Sequence, residues 1–374
     1  MILHLVTDEK FTDYAIKQFS APEMESEFVL IPSNWNPGCD VKYNAACRMI
    51  RQGSVEFQEL LSHLGDYSAI VLHGMHWAGW EAPLIKTAPQ NVKIAWVLWG
   101  GDVYGRSDIE DTFDAPITRL ISKLRMLIKR NKVAQDTSWE LPYDLFQRVD
   151  YCMTSQTEEY DYATHFFNVP FKRLWYTYYA IEEMIGSLIT ERATGNNIWL
   201  GNSATESNNH IDAMLKLFVN KSELTGRKLI VPLSYPCCWV KGVVSKLGNF
   251  CFGKSFQPLF DFIPRVEYNK LMLDCSVMIM PHYMSQGMGN VFTGLWLGMR
   301  VYMSKRNISY DYLKRIGVAV FSLEDDLKKY GLSPLPEEEF QQNRKVLSEV
   351  YGREHVMDAV RDVVRELSSP RICK

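Results

Sequence analysis

The chain is 374 residues long, 47% hydrophobic and 23% charged, with a formal net charge of −3. That length suits two domains of ordinary size, and so large an apolar fraction excludes a disordered chain. The charge offers no general attraction to nucleic acid, and eight cysteines without C-x-x-C spacing argue against a zinc site or disulfide framework and for a reducing compartment.

The chain opens on an apolar run over 2–6 that lacks the basic flank and cleavage site of a signal peptide and reads as a buried strand. A helix is expected over 11–19, a strand over 28–31 and a helix over 55–64, where Phe57, Leu60, Leu61 and Leu64 share one side. A strand over 69–72 ends in His73-Gly74, a helix follows over 82–88, and a strand over 94–99 ends in Gly100-Gly101-Asp102. The alternation restarts near residue 196, with strands over 198–200, 229–231 and 277–280 and helices at 211–218, 268–273 and from 291 onward. Such alternation means parallel sheets with helices on both faces, an α/β protein. The expected division is an N-terminal Rossmann-like domain over 1–185, a C-terminal Rossmann-like domain over 196–350, and a helix over 351–374 that crosses back to the first. Nothing approaches the run of about 18 apolar residues that a membrane span needs, so a cytoplasmic protein with at most peripheral membrane contact is expected.

Ligands of open parallel sheets bind beyond the carboxyl ends of strands. Three loops in the second half sit there. Gly201-Asn202-Ser203-Ala204-Thr205-Glu206-Ser207-Asn208-Asn209-His210 opens a helix and is rich in small hydroxyl donors, with Ser207 or Asn208 as cap. A helix N-terminus there would attract a phosphate, with Glu206 turned outward, although a well-capped turn accounts for the same residues. Ser285-Gln286-Gly287-Met288-Gly289-Asn290 has two glycines that let backbone approach a ligand, but Phe292 stands where a G-x-G-x-x-G fingerprint needs its third glycine. A diphosphate needs donors from two directions, and these two loops supply them. Tyr235, in Leu233-Ser234-Tyr235-Pro236, either bounds a ring or packs within its loop, and Phe262 is a candidate wall for a base.

In the first half, His73-Gly74-Met75-His76-Trp77 and Trp99-Gly100-Gly101-Asp102-Val103-Tyr104 follow strands. Transfer of a group to a hydroxyl needs a base. Asp102 is the first candidate and His73 the second; the alternatives are a turn-capping aspartate and a hydrogen-bonded core histidine. Trp77, Trp99 and Tyr104 are the candidates for the acceptor side. No D-x-D pair occurs, and the acidic group Asp108, Glu110, Asp111 and Asp114 has the spacing of a solvated helix face, so no metal site and no resident cofactor are expected.

At these loops the sequence resembles the family 56 glycosyltransferases, the TDP-4-acetamido-4,6-dideoxy-D-galactose (Fuc4NAc):lipid II transferase family of enterobacterial common antigen synthesis. The likeness lies in Trp99-Gly100-Gly101-Asp102-Val103-Tyr104, in Gly201-Asn202-Ser203 with Ser207-Asn208-Asn209-His210-Ile211, in Val231-Pro232-Leu233-Ser234-Tyr235-Pro236 and in Gln286-Gly287-Met288-Gly289. It departs at Ala204-Thr205-Glu206, where the family has Gly-Asp-Arg, and at Asn290. Without a D-x-D pair the chain is expected to work without a metal, and the resemblance implies a GT-B fold, whose two domains face an interdomain cleft, and a dTDP-linked deoxyamino sugar as donor. That donor would be held by Gly201, Asn202, Ser203, Thr205, Ser207, Asn208, Tyr235, Phe262, Gln286, Gly287, Gly289 and Asn290. It also implies a polyprenyl-diphosphate-linked glycan as acceptor and a place on the inner face of the bacterial inner membrane.

Over 119–132 stand Arg119, Lys123, Arg125, Lys129, Arg130 and Lys132 with no acid, and Leu120, Ile121, Leu124, Leu127 and Ile128 repeat at helical spacing. This basic amphipathic pattern fits an anionic membrane surface, or equally a helix packed on its own domain with solvated lysines. A nucleotide-sugar epimerase on the same fold and a non-catalytic sugar-nucleotide-binding protein are the rival readings of the whole chain. The first would consume donor without acceptor, and the second would bind nucleotide without transfer.

Overall fold

The computed structural model describes the whole chain except residues 8, 10, 22–23, 33–46, 76–77, 130–139, 220, 236 and 372–374. In chain order the first elements are β1 (Ile2–Val6), α1 (Thr12–Gln18), β2 (Ser26–Leu30), β3 (Arg48–Met49), α2 (Val55–Ser62), β4 (Ala69–His73) and α3 (Ala78–Thr87). Then follow β5 (Lys93–Val97), α4 (Gly100–Tyr104), α5 (Pro116–Lys129), β6 (Tyr151–Met153), α6 (Thr157–Phe167), β7 (Lys172–Leu174) and α7 (Ile181–Ile185). The next are β8 (Asn197–Leu200), α8 (His210–Val219), β9 (Leu229–Pro232), α9 (Cys238–Phe252), β10 (Phe256–Leu259), α10 (Arg265–Met272) and β11 (Cys275–Met280). The last are α11 (Met288–Trp296), β12 (Arg300–Met303), α12 (Ile308–Arg315), β13 (Phe321–Ser322), α13 (Asp326–Tyr330), α14 (Glu337–Tyr351) and α15 (Arg353–Ser368).

The chain forms two compact units, one of residues 1–106, 134–180 and 353–374, the other of 107–133 and 181–352. The first holds a seven-stranded sheet in the order β3-β2-β1-β4-β5-β6-β7, the second a six-stranded sheet in the order β10-β9-β8-β11-β12-β13, every pairing parallel. Both orders are doubly wound, with the reversal between β1 and β4 in one sheet and β8 and β11 in the other. Central strands covered by helices on both faces read as near-continuous apolar runs. Accordingly β1, β4, β5 and β11 are buried at every residue. Helix ends follow local chemistry: Ser54 accepts the Phe57 N–H at the start of α2, and Asn168, at φ 52°, ends α6 in the left-handed region.

Gly352 separates α14 from α15, and the two helices belong to different units. Val360, Val363 and Leu367 of α15 enter the core beneath β1 and β4. Lys93 donates to the Glu366 carbonyl and to Ser369 Oγ, Tyr151 donates to Glu366 Oε1 at 2.6 Å, and Arg371 reaches Asp150 at 2.6 Å. The second unit also takes residues 107–133, which the sequence reading had placed within a first domain of 1–185. The transfer is made by polar anchoring: Asn209 Oδ1 accepts the Ala115 N–H at 2.6 Å, and Asp212 accepts the Ile117 and Thr118 N–H groups and the Thr118 hydroxyl at the open start of α5.

Candidate functional site

The loops that leave β8 and β11 flank the reversal point of the second sheet, and they are bonded to each other. Gly201, at φ +71°, makes the exit from β8; a Cβ there would stand 2.5 Å from His210 Nε2 and 2.7 Å from Asn208 Oδ1. Asn208 is the hub of this turn and wholly buried. Its Oδ1 accepts the Asn202 N–H at 2.9 Å, and its Nδ2 donates to Ser203 Oγ at 3.0 Å and Thr205 Oγ1 at 2.6 Å. His282, just beyond β11, places Nε2 2.9 Å from both the Asn202 and Asn208 side-chain oxygens. Two acceptors at one ring nitrogen require that Nε2 carry the proton. Burial drives the imidazole down to about 3, so it is neutral at physiological pH.

The second loop meets the first at Gln286. Its Oε1 accepts the Ser207 hydroxyl at 2.8 Å and its Nε2 donates to Thr205 Oγ1 at 3.2 Å. Gly287, at φ +66°, then turns the chain into α11; a Cβ there would lie 3.0 Å from Asn202 Cγ. No side chain caps α11 and its first turn carries no acid. A Cβ at Gly289 would meet no atom within 4 Å, so backbone is open to approach there. Asn290 donates to the Tyr268 hydroxyl at 2.9 Å, fixing α10 against this turn. The third loop joins through backbone: the Ala204 N–H donates to the Tyr235 carbonyl at 2.6 Å and the Cys237 N–H to the Ala204 carbonyl at 3.3 Å. Tyr235 is 52%, Phe260 42% and Phe262 80% exposed, three aromatic faces left to solvent beyond β9 and β10. Asn202, Ser203, Thr205, Ser207, Asn208 and Gln286 thus form one bonded cluster, which Gly287 joins to the start of α11 and which Tyr235 meets through its carbonyl.

Two features of this region differ from expectation. Glu206 does not point outward: its carboxylate is half-buried and accepts the Trp239 indole N–H at 2.9 Å and the Ser122 hydroxyl of α5. Those donors satisfy the charge and draw it away from the helix ends. Asp114 does not belong to a solvated helix face. It follows a 3₁₀ turn over Glu110–Phe113 and is 7% exposed, and burial, reinforced by the Glu206 carboxylate, pushes it up to about 7. His282 and Asn209 are hub residues that sequence reasoning missed. Asn209 sits at φ 51° and ties Ala115, Phe113 and Pro281 together. A lone histidine immediately after the proline that closes a strand was the only available signal for His282. A hollow of about 290 Å³ lies beside Asn209, between Ile117, Asp212, Tyr283 and Glu324, and includes none of the expected donor residues.

In the first unit, Asp102 is 1% exposed; its Oδ2 accepts the Trp96 indole N–H at 2.6 Å and the Trp99 backbone N–H at 2.9 Å. That is the geometry of a turn-capping residue at the start of α4. His73 is 4% exposed, with Nδ1 2.9 Å from the Tyr178 hydroxyl and Nε2 3.2 Å from His4 Nδ1, and burial lowers it to about 3. This is a neutral histidine within an aromatic core of Phe19, Phe28 and Tyr176. Tyr104, expected on the acceptor side, ends α4 as a core residue at 3% exposure, its ring against Tyr162. Trp99 is half-buried and donates its indole N–H to Tyr178 at 2.9 Å. Trp77 lies outside the described residues. Among the described residues no group of three or more His, Cys, Asp or Glu side chains could hold a metal, and no helix is long and apolar enough to cross a membrane.

Residues 63–345 match the family model described as 4-alpha-L-fucosyltransferase, glycosyl transferase group 56. No curated protein matches the chain in sequence. Among solved structures, sucrose-phosphate synthase from Thermosynechococcus elongatus superposes at a TM-score of 0.61 with 10% identity, covering 98% of each chain. The alpha,alpha-trehalose 6-phosphate synthase of Burkholderia multivorans gives 0.61 and 10%, covering 98% of this chain and 95% of its own. Anabaena Alr3699/HepE, solved in complex with UDP and glucose, gives 0.60 and 10%, covering 98% and 99%. At such identity the likeness shows the fold alone, which is that of the GT-B glycosyltransferases.

Proposed function

The chain belongs to glycosyl transferase group 56 and is a glycosyltransferase, and we propose that it moves a deoxyamino sugar, Fuc4NAc-like, from a dTDP-linked donor to a polyprenyl-diphosphate-linked glycan in bacterial surface polysaccharide synthesis. The observation that supports this most is the junction at Gln286, which holds the β8 and β11 loops together at the uncapped start of α11. Backbone N–H groups and the positive end of a nine-residue helix there suit a pyrophosphate. The hydroxyls of Ser203, Thr205 and Ser207 lie within the same cluster, and Tyr235, Phe260 and Phe262 supply apolar faces for a base. A neighbour of the same fold carries UDP and glucose, the same chemical class of ligand.

In this reading the first unit serves the acceptor through Trp99. Asp102 and His73 act as positioning residues: Asp102 fixes the turn that carries Trp99, and His73 fixes Tyr178, which takes the Trp99 indole N–H. A ligand that binds only the native state raises the melting temperature. A panel of dTDP, UDP, GDP and their sugars should show the largest rise with the dTDP compounds, and incubation with a polyprenyl-diphosphate glycan should move the sugar to the lipid. A panel that leaves the melting temperature unchanged throughout refutes the donor site.

A further inference from the structure

Helix α5 packs the opposite way round from an ordinary amphipathic helix. Polar contacts hold its buried positions. Thr118 is bonded to Asp212, Ser122 to Glu206, and the Arg125 guanidinium lies 4.8 Å over the Trp239 ring. Thr118 and Ser122 are the buried positions, while Ile117, Leu120, Leu124 and Leu127 are 39%, 56%, 49% and 73% exposed. Those four residues follow i, i+3, i+7, i+10 spacing and so form a continuous stripe. A soluble helix buries its apolar stripe and wets its polar face, so an outward stripe held by inward hydrogen bonds calls for an apolar partner.

The charge around the stripe selects that partner. Six basic residues and no acid lie between Arg119 and Lys132. Arg125 is spent on Trp239, and Arg119 donates to the Asp111 carbonyl. Lys123 stays more than half exposed, 3.9 Å from an equally exposed Asp111 carboxylate, a pairing of little strength in water. Apolar residues set within a run of lysine and arginine match the headgroup region of an anionic bilayer.

We infer that α5 is the surface on which this protein rests against an anionic phospholipid bilayer, with Ile117, Leu120, Leu124 and Leu127 entering the headgroup region. The inference deepens the reading above and rests on its lipid-linked acceptor for biological sense. The inner face of α5 is one hydrogen bond from the donor turn, because Glu206 stands between Thr205 and Ser207. Docking through α5 therefore holds the donor turn close to the surface where a lipid diphosphate sits.

The test is co-sedimentation of the full chain with vesicles of phosphatidylcholine alone or with phosphatidylglycerol at about 30%. Binding should be at least ~10-fold tighter to the anionic vesicles. The triple variant Leu120→Gln, Leu124→Gln, Leu127→Gln alters exposed side chains only and should lose at least ~10-fold in vesicle binding, with its dTDP melting shift in vesicle-free buffer unchanged. Native-like sedimentation of that variant, or no sedimentation of the native protein, overturns the inference. So does a native dimer in light scattering that the triple variant abolishes, since the stripe then belongs to a second copy. Vesicle binding without any dTDP shift sinks the donor reading while leaving the docking surface in place.

Discussion

Gly289→Ala separates ligand binding from folding at the start of α11. The glycine lies inside the helix, not among those with positive φ, and an added Cβ meets no atom within 4 Å. The fold should therefore gain from the change, since alanine in a helix is favoured over glycine by about 0.5–1 kcal/mol. Spread over a unit of this size, that raises the melting temperature by about 1–4 °C. The bound diphosphate should suffer, because the methyl occupies the space through which a phosphate oxygen reaches the first-turn N–H groups. A hydrogen bond to a charged group is worth about 1.5–3 kcal/mol, which corresponds to about 10- to 150-fold in affinity. Isothermal titration with dTDP and a urea unfolding curve on the same sample give both numbers. An alanine variant that is stable and binds dTDP with native affinity refutes the placement of the pyrophosphate at α11.

Gly201→Ala should behave in the opposite manner, since positive φ costs a non-glycine residue about 1–2 kcal/mol and the new Cβ would stand 2.5 Å from the buried His210 ring; a loss of stability below ~1 kcal/mol by urea unfolding would count against the described turn. Asp102→Ala leaves the Trp96 and Trp99 N–H groups without their acceptor and should cost about 1–3 kcal/mol per group that stays unsatisfied, whereas Asp102→Asn keeps an amide oxygen there and should retain most of kcat; a stable Asn variant with kcat down by more than ~100-fold would return Asp102 to the role of base. His73 and His282 are each lowered to about 3 and His210 to about 4, while His4 is lowered by burial and by His73. Below the unfolded value of about 6.5 the unfolded chain takes up protons that the native chain refuses, so stability is complete above that pH and falls as acid is added, by about 1.4 kcal/mol per pH unit for each histidine. Unfolding free energy that stays level from about pH 6 to pH 4.5 would contradict the buried neutral state of these rings.

The sheet cores were readable because strands covered on both sides are mostly apolar, as in β1, β4 and β11, and because Gly74 closes β4 and Pro281 closes β11. Short strands escaped. β13 has two residues and β6 and β7 three each, too few for any period to appear. The allegiance of residues 107–133 was hidden for a different reason: the bonds that its backbone donates to the Asn209 and Asp212 side chains span 94 residues of sequence, and no local pattern reports such a pairing. At the proposed donor site the glycines and small hydroxyls announced themselves through turn chemistry. His282 did not, since a buried neutral imidazole is recognised by what surrounds it. Asp102 illustrates a local signal that was available: an acid three residues after Trp99 has the spacing of a residue that reaches back to cap a turn. The amphipathic pattern of α5 was plain in sequence, but only the packing reveals which face is turned out.

Hydrogen–deuterium exchange with and without dTDP tests the shared pyrophosphate pocket most directly. The account predicts that amides in 201–208 and 287–291 slow together, with one common dependence on dTDP concentration. Protection of one segment alone, or of neither while dTDP is demonstrably bound, would contradict it.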